Sequence, residues 1–258
     1  MPTLKAQLIH WVHLRSALRH RFGYRHRLLW NILYPIRSRA SFGLWGLDLR
    51  ILRVVGKERG FYIELGANNG FTQSNTLRLE LFHGWRGLLI EPVEASYSDC
   101  LKNRSLQRNV IVRAACVSSS YESETVELSP SNRDSFSKLW ASPLGVETTI
   151  EDPLKHGQQY RDADGDGTDY VIEVAPARTL TSILEEARAP NRIKLLSLDV
   201  EGGELEVLRG LDFSKYSIDW LVVETNNLEA VVNLLAPFGF VLHSPVSHHD
   251  YIFRGEAD

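Results

Sequence analysis

The stretch FYIELGANNGFTQS, residues 61–74, decides the fold. It begins as a short run that is apolar on both sides of the chain apart from Glu64, the pattern of a strand buried in a parallel sheet. It then breaks at Gly66 and Gly70 and leads toward a helix, so it reads as strand, glycine turn and helix. Further along, 86–91 (RGLLIE), 109–115 (NVIVRAA), 193–199 (IKLLSLD) and 218–224 (IDWLVVE) repeat the apolar run. The stretches near 72–83, 94–103, 203–209 and 226–235 have the length of crossover helices, and Gly239 to Leu242 and Asp250 to Phe253 read as two closing strands. The expected architecture is an open, mostly parallel, Rossmann-like α/β sheet with helices on both faces and its ligands at the carboxyl ends of the strands.

Two segments depart from that rhythm. Residues 117–172 are rich in Ser, Asp, Gly and Pro with scattered apolar positions such as Phe136, Leu139 and Trp140. Loops and a hairpin are expected there, serving as a lid over an acceptor site. Residues 1–55 form a basic N-terminal arm, helical over about 6–34 by its apolar spacing. Residues 1–60 hold 12 of the 29 Lys and Arg but only Asp48 and Glu58 of the 32 acids, so this end is +10 and the remainder −13. With Trp11, Trp30 and Trp45, the arm suits packing against the body, covering its acidic face, or lying on an anionic membrane. Packing is the expected default, because aromatic surface is most cheaply buried against the body. Nucleic acid is disfavoured, because the acidic body would repel a phosphate backbone near the chemistry.

The 258 residues, 43% hydrophobic and 24% charged, exclude a disordered, collagenous or disulfide-framework chain. Residues 56–258 are expected to form one domain. Cys100 and Cys116 are too few for a scaffold and too isolated for a C-x-x-C motif, which fits a reducing, cytoplasmic compartment. No apolar run reaches the roughly 18–20 residues of a spanning helix, and the start lacks a signal-peptide pattern.

The turn at 64–70 is neither G-x-G-x-x-G nor a P-loop, which disfavours nicotinamide or ATP. Glu64 just before the glycines would repel phosphate and attract a ligand ammonium, as on the methionine part of S-adenosylmethionine. Glu91 ends the second strand 21 residues beyond Gly70, where a carboxylate can accept hydrogen bonds from both ribose hydroxyls, and Pro92 then turns the chain. The bland alternatives are a ligand-free turn and a solvated strand end.

Three motifs in order resemble the FkbM-type methyltransferases, enzymes that use S-adenosylmethionine: ELGANNGFTQS (64–74), IEP (90–92) and LLSLDVEGGELEVLRG (195–210). The resemblance spans about 60–255. It departs from the family in Glu64, where Asp is usual, and in the basic arm, which it does not explain. It implies cofactor contacts at Glu64, Gly66, Ala67, Asn68, Gly70 and Glu91, with Pro92 and Ala115 completing the set. It also implies methyl transfer, commonly to a hydroxyl, without naming the acceptor; a sugar, glycan or polyketide-like hydroxyl is the expected one. A nitrogen acceptor or a non-catalytic adenosyl-binding, membrane-associated protein is the alternative.

A hydroxyl needs help losing its proton as the methyl moves. Asp199, at the carboxyl edge after the fourth strand, is the first-choice base, with Glu201 beside it and His249, or His248, as runner-up. Glu204, further into the helix, reads chiefly as a helix N-terminal acid. Asp199, Glu224 at the end of the fifth strand and Asn226 behind it could instead hold Mg²⁺, by analogy with catechol-type O-methyltransferases. Asp162 to Glu173 satisfies the calcium-loop pattern, but no helix pair flanks it, so a solvated acidic turn is favoured.

Overall fold

The computed structural model describes residues 41–130, 137–139 and 173–255. Seven strands form one sheet in the order β12 (Phe240–Pro245), β13 (Asp250–Gly255), β11 (Trp220–Glu224), β9 (Leu195–Leu198), β1 (Phe61–Leu65), β2 (Arg86–Ile90) and β3 (Asn109–Val112). All neighbouring pairs are parallel except those of β13, which runs antiparallel to both β11 and β12. The expected Rossmann-like α/β sheet is therefore present.

Strand periodicity divides the core. Ile63, Leu65, Leu196, Leu198, Val223 and Phe253 face one side, against α4 (Leu180–Glu186), α5 (Glu204–Arg209) and α6 (Leu228–Leu235). Tyr62, Leu89, Leu195, Val222 and Ile252 face the other, with α1 (Leu47–Val55), α2 (Leu77–His83) and α3 (Glu94–Asn103). Thr179 and Asn227 cap α4 and α6 by accepting from the N–H groups of Ser182 and Ala230.

Three boundaries differ from expectation. The helix expected from 72 begins at Leu77, because residues 74–76 turn their donors inward to Glu64. The strand expected over 109–115 ends at Val112, and β4 (Ala115–Cys116) pairs instead with β7 (Glu173–Arg178) in a second sheet of order β4-β7-β5-β6. Ile193 and Ile218 leave their expected strands and, with the residue before each, form a separate short parallel pair, β8 (Arg192–Ile193) with β10 (Ser217–Ile218).

The second sheet gives the first half of the expected lid a defined form: β5 (Thr125–Pro130) pairs antiparallel with β6 (Ser137–Leu139) and with β7. Phe136, Trp140, His156 and the acidic run 162–172 lie outside the described residues, as do residues 1–40 with Trp11 and Trp30. Of the arm, Trp45 is 80% exposed, so it does not pack as expected. Phe42 does pack, edge-on to Phe71 and stacked with Phe82. No helix among the described residues is long and apolar enough to cross a membrane. Cys100 and Cys116 are free and buried, and burial pushes each thiol up to about 12, so neither is a reactive thiolate.

Candidate active site

The glycine turn is assembled from the protein's own donors. Gly66 and Ala67 donate their N–H groups to the Ile90 carbonyl at 3.1 Å each, tying the end of β1 to the end of β2. Gly66 has φ +71°, and a Cβ there would lie 1.7 Å from the Asp199 carbonyl oxygen, so only glycine lets the ends of β1 and β9 close. Asn68, in the left-handed region at φ 48°, donates its N–H to Glu91 Oε2 at 2.7 Å.

Glu64 does something other than the expected pairing with a ligand ammonium. Its Oε1 accepts from the Ser74 hydroxyl and the Asn75 N–H, each at 2.9 Å. Its Oε2 accepts from the Thr76 hydroxyl at 2.6 Å and Arg104 Nη1 at 3.1 Å. The carboxylate is buried and folds residues 74–76 under the strand end.

Glu91, buried at the end of β2, meets a different environment. Besides Asn68, its Oε1 accepts from the Val93 N–H at 3.0 Å, and no cation among the described residues bonds it. Burial pushes its pKa from 4.5 to about 7, helped by the Glu173 charge and opposed by the two backbone bonds. Each oxygen thus has one protein donor and lone-pair capacity for another, which fits the two hydroxyls of a ribose. Pro92 follows, its carbonyl accepting from Arg113 Nε at 3.2 Å. Ala115 lies three residues past β3, buried in the core of the second sheet with Val117, Val126 and Ala175.

At the same carboxyl edge stand three acids. Asp199 follows β9, with its N–H on the Leu65 carbonyl, Glu224 ends β11, and Asp250 starts β13 directly opposite Glu224. Asp199 and Glu224 stand close enough at this edge for each to perturb the other's titration. Burial, then the charges of Glu224, Glu201 and Asp250, drive Asp199 well above the ordinary carboxylate range. Burial likewise raises Glu224 and Asp250, with nearby His249 opposing both and Arg50 opposing Asp250. Neighbouring carboxyls cannot both ionise cheaply, so a proton is held more tightly at this pair than on a free carboxyl.

Glu201, at φ 55°, adds its charge to the pair through the turn after Asp199. Glu204 accepts from the Gly202 N–H at 2.8 Å, in keeping with the structural role expected of it. His249 is exposed, its carbonyl accepting from the Thr225 N–H at 2.8 Å, and His248 is exposed beside it. The expected Mg²⁺ site has no support: among the described residues no three His, Cys, Asp or Glu side chains are grouped to hold a metal, and Asn226 is exposed at the surface. Burial and the Glu224 charge make Asp199 hold a proton more tightly, and a metal would have to displace that proton. Glu173, the last position of the calcium-loop pattern, is likewise engaged, bonded to Arg113 Nη2 at 2.9 Å and to the Glu94 N–H at 2.6 Å.

Sequence reasoning missed Asp250, Asn75 and Arg104. Only the antiparallel direction of the last strand puts Asp250 at this edge, and its pairing opposite Glu224 was the signal available.

A parallel α/β sheet with a glycine turn after β1, an acid ending β2 and acids beyond β9 and β11 defines a Rossmann-like methyltransferase domain. The methyltransferase FkbM domain matches residues 64–242, well over half of the chain, and the chain belongs to that family. Membership assigns this domain to the S-adenosylmethionine-dependent methyltransferases. Three solved structures are similar. The methyltransferase FkbM from Methylobacillus flagellatus KT is 14% identical with TM-score 0.39, over 76% of this chain and 43% of that one. The precorrin-6y C5,15-methyltransferase from Geobacter metallireducens GS-15 is 11% identical with TM-score 0.42, over 83% and 88%. A SAM dependent methyltransferase from Aquifex aeolicus is 10% identical with TM-score 0.37, over 80% and 86%. Likenesses this low add nothing to the assignment, which rests on the family match. No curated protein matches the sequence.

Proposed function

We propose that this protein transfers the methyl group of S-adenosylmethionine to a hydroxyl of a sugar, glycan or polyketide-like acceptor, with Asp199 as the base. The observation that carries this reading is the convergence of Asp199, Glu224 and, opposite Glu224, Asp250 at the edge where Gly66 meets Asp199. The cofactor supplies an electrophilic methyl when bound. Glu91 accepts from the ribose hydroxyls, and the backbone of Gly66 to Gly70, with Ala67 and Asn68 between, lines the cofactor's path. Glu64 supports that backbone from below through its bonds to residues 74–76 rather than touching the cofactor.

An alcohol gains nucleophilicity as its proton leaves, and a carboxylate whose basicity is raised by burial and like charge is suited to take it. The proton passes to Asp199, whose hold on a proton is raised by burial and by the Glu224, Glu201 and Asp250 charges around it. A neutral amine needs less such help, which is why the carboxyl pair favours a hydroxyl over the N-methylation reading. The base acts directly in this scheme, so EDTA is expected to leave turnover unchanged. In the same reading, the basic arm brings the enzyme to an anionic membrane from the cytoplasmic side and 117–172 covers the acceptor.

The test is S-adenosylhomocysteine release across sugar, lipid-linked glycan, polyketide and amine acceptors, with and without EDTA. Turnover confined to amines would overturn the hydroxyl assignment, and loss in EDTA with rescue by Mg²⁺ would return Asp199 and Glu224 to the role of metal ligands.

A further inference from the structure

We propose that Asn103 and Arg104, where α3 ends, are positioning residues that hold the glycine turn in the shape the cofactor requires. The inference rests on the cofactor reading above, which places the ligand on the opposite side of the turn.

Both residues grip the backbone of the turn from behind. Asn103 Nδ2 donates to the Asn69 carbonyl at 2.9 Å, and Arg104 Nη1 to the Gly70 carbonyl at 3.2 Å. Gly70 sits so close that a Cβ there would be 2.7 Å from both Arg104 Cγ and Cys100 Sγ. The last turn of α3 and the glycine turn are thus in contact through backbone and side chain, with no room between them.

Arg104 also anchors that grip to the strand. Its fully buried guanidinium donates to Glu64 at 3.1 Å, Glu80 at 2.6 Å, the Tyr62 hydroxyl at 2.5 Å, Ser74 at 3.2 Å and Thr76 at 3.0 Å. Glu80 is further held by the Ser105 N–H at 3.1 Å and Asn109 Nδ2 at 2.9 Å. One planar fork therefore links the carboxylate at the end of β1 to the carbonyl at the far side of the turn. A lysine ammonium, with three donors on a point, cannot span those partners together.

The link reaches the cofactor side through one residue. Asn68, immediately before the gripped carbonyls, makes the 2.7 Å bond to Glu91, the ribose acceptor. Within the turn, Phe71 and Thr72 donate their N–H groups to Asn69 Oδ1 at 3.0 and 2.8 Å, and Gly70 donates to the Ala67 carbonyl at 2.8 Å. Release of the Asn69 and Gly70 carbonyls loosens these bonds and lets Asn68 drift from Glu91. Neither Asn103 nor Arg104 need touch the ligand.

The experiment compares wild-type full-length protein with Asn103→Ala, Asn103→Asp and Arg104→Lys. S-adenosylhomocysteine affinity is measured by calorimetry, and amide hydrogen exchange is followed without ligand. Asn103 is half-buried, and Asp keeps its shape while removing the donor. Both Asn103 variants should weaken binding about 3–10-fold, the worth of one hydrogen bond. Arg104→Lys should weaken it more, raising the cofactor KM while kcat changes less. Exchange should quicken at the amides of 69–72 and stay unchanged in 61–65 and 195–198. If wild-type protein binds and both Asn103 variants bind within twofold of it, the positioning role is overturned. Exchange that quickens equally throughout the sheet overturns it too, because the residues then act only on global stability. If wild-type protein fails to bind, the cofactor reading itself falls.

Discussion

A carboxylate sealed from water without a cation lowers the stability of the folded protein until donors reach it, and Glu91 is such a group. Below about pH 4.5 it is protonated folded or unfolded and there is no penalty. As pH rises the unfolded chain ionises first and the folded state holds its proton up to about 7, so stability falls across that window. The loss approaches roughly 3 kcal/mol at about 1.4 kcal/mol per unit. Glu91→Gln, whose Nε2 faces one of the two backbone N–H donors, should start less stable than the wild type at pH 4 and close that gap by pH 8, read from urea melts without ligand. The same variant should bind S-adenosylhomocysteine about 10–100-fold more weakly, since hydrogen bonds to a charged group contribute about 1.5–3 kcal/mol. Ribose hydroxyls favour the ionised form, so wild-type affinity should rise from pH 6 to pH 8, with proton release visible in buffers of different ionisation enthalpy. At the other side of the site, Asp199→Asn keeps the shape and removes the charge. Turnover should fall about 10²–10⁴-fold with cofactor affinity nearly unchanged. A fully active mutant would shift attention to His249 and His248.

Two elements owe their placement to single contacts. The ends of β1 and β9 meet at Gly66, so Gly66→Ala combines a left-handed backbone, about 1–2 kcal/mol, with an overlap of about 1–3 kcal/mol. Its urea midpoint should drop accordingly, and its turn should no longer bind S-adenosylhomocysteine. On the flank, α1 is fixed by the buried Asp48–Arg78 pair at 2.9 Å, with Asp48 also accepting from the Ser41 hydroxyl and the Phe42 N–H. Asp48→Ala removes the ion pair to Arg78 and the acceptor of the Ser41 and Phe42 donors, so the urea midpoint should fall and limited proteolysis should cut first within 41–56. The strands of the main sheet were legible because buried parallel strands announce themselves as apolar runs. The start of α2 was not, because Ser74, Asn75 and Thr76 read as ordinary first-turn residues until Glu64 draws their donors inward. Nor was the grip of Arg104, since nothing local says that a residue after α3 serves a turn more than thirty positions earlier.

Charge dominates at the scale of the whole molecule. Residues 1–40 carry eight Lys and Arg and no acid, which leaves the rest of the chain at −11. If the arm meets an anionic membrane, the full chain should co-sediment with phosphatidylserine vesicles at low salt, and both high salt and deletion of 1–40 should abolish it. Co-sedimentation that survives the deletion would locate the contact elsewhere. The asymmetry was plain in the sequence, whereas the acids converging at one edge depended on strand order and direction. That order has a consequence for synthesis. β13 lies between β11 and β12 and carries Asp250 to the site, although it follows both of them in the chain. A chain stopped before residue 250 leaves β12 without its partner and the edge of β11 open. Most of the core can be buried before β13 is made, yet the three-acid edge waits for that strand, so a product cut short of Asp250 lacks one of the three acids at the site.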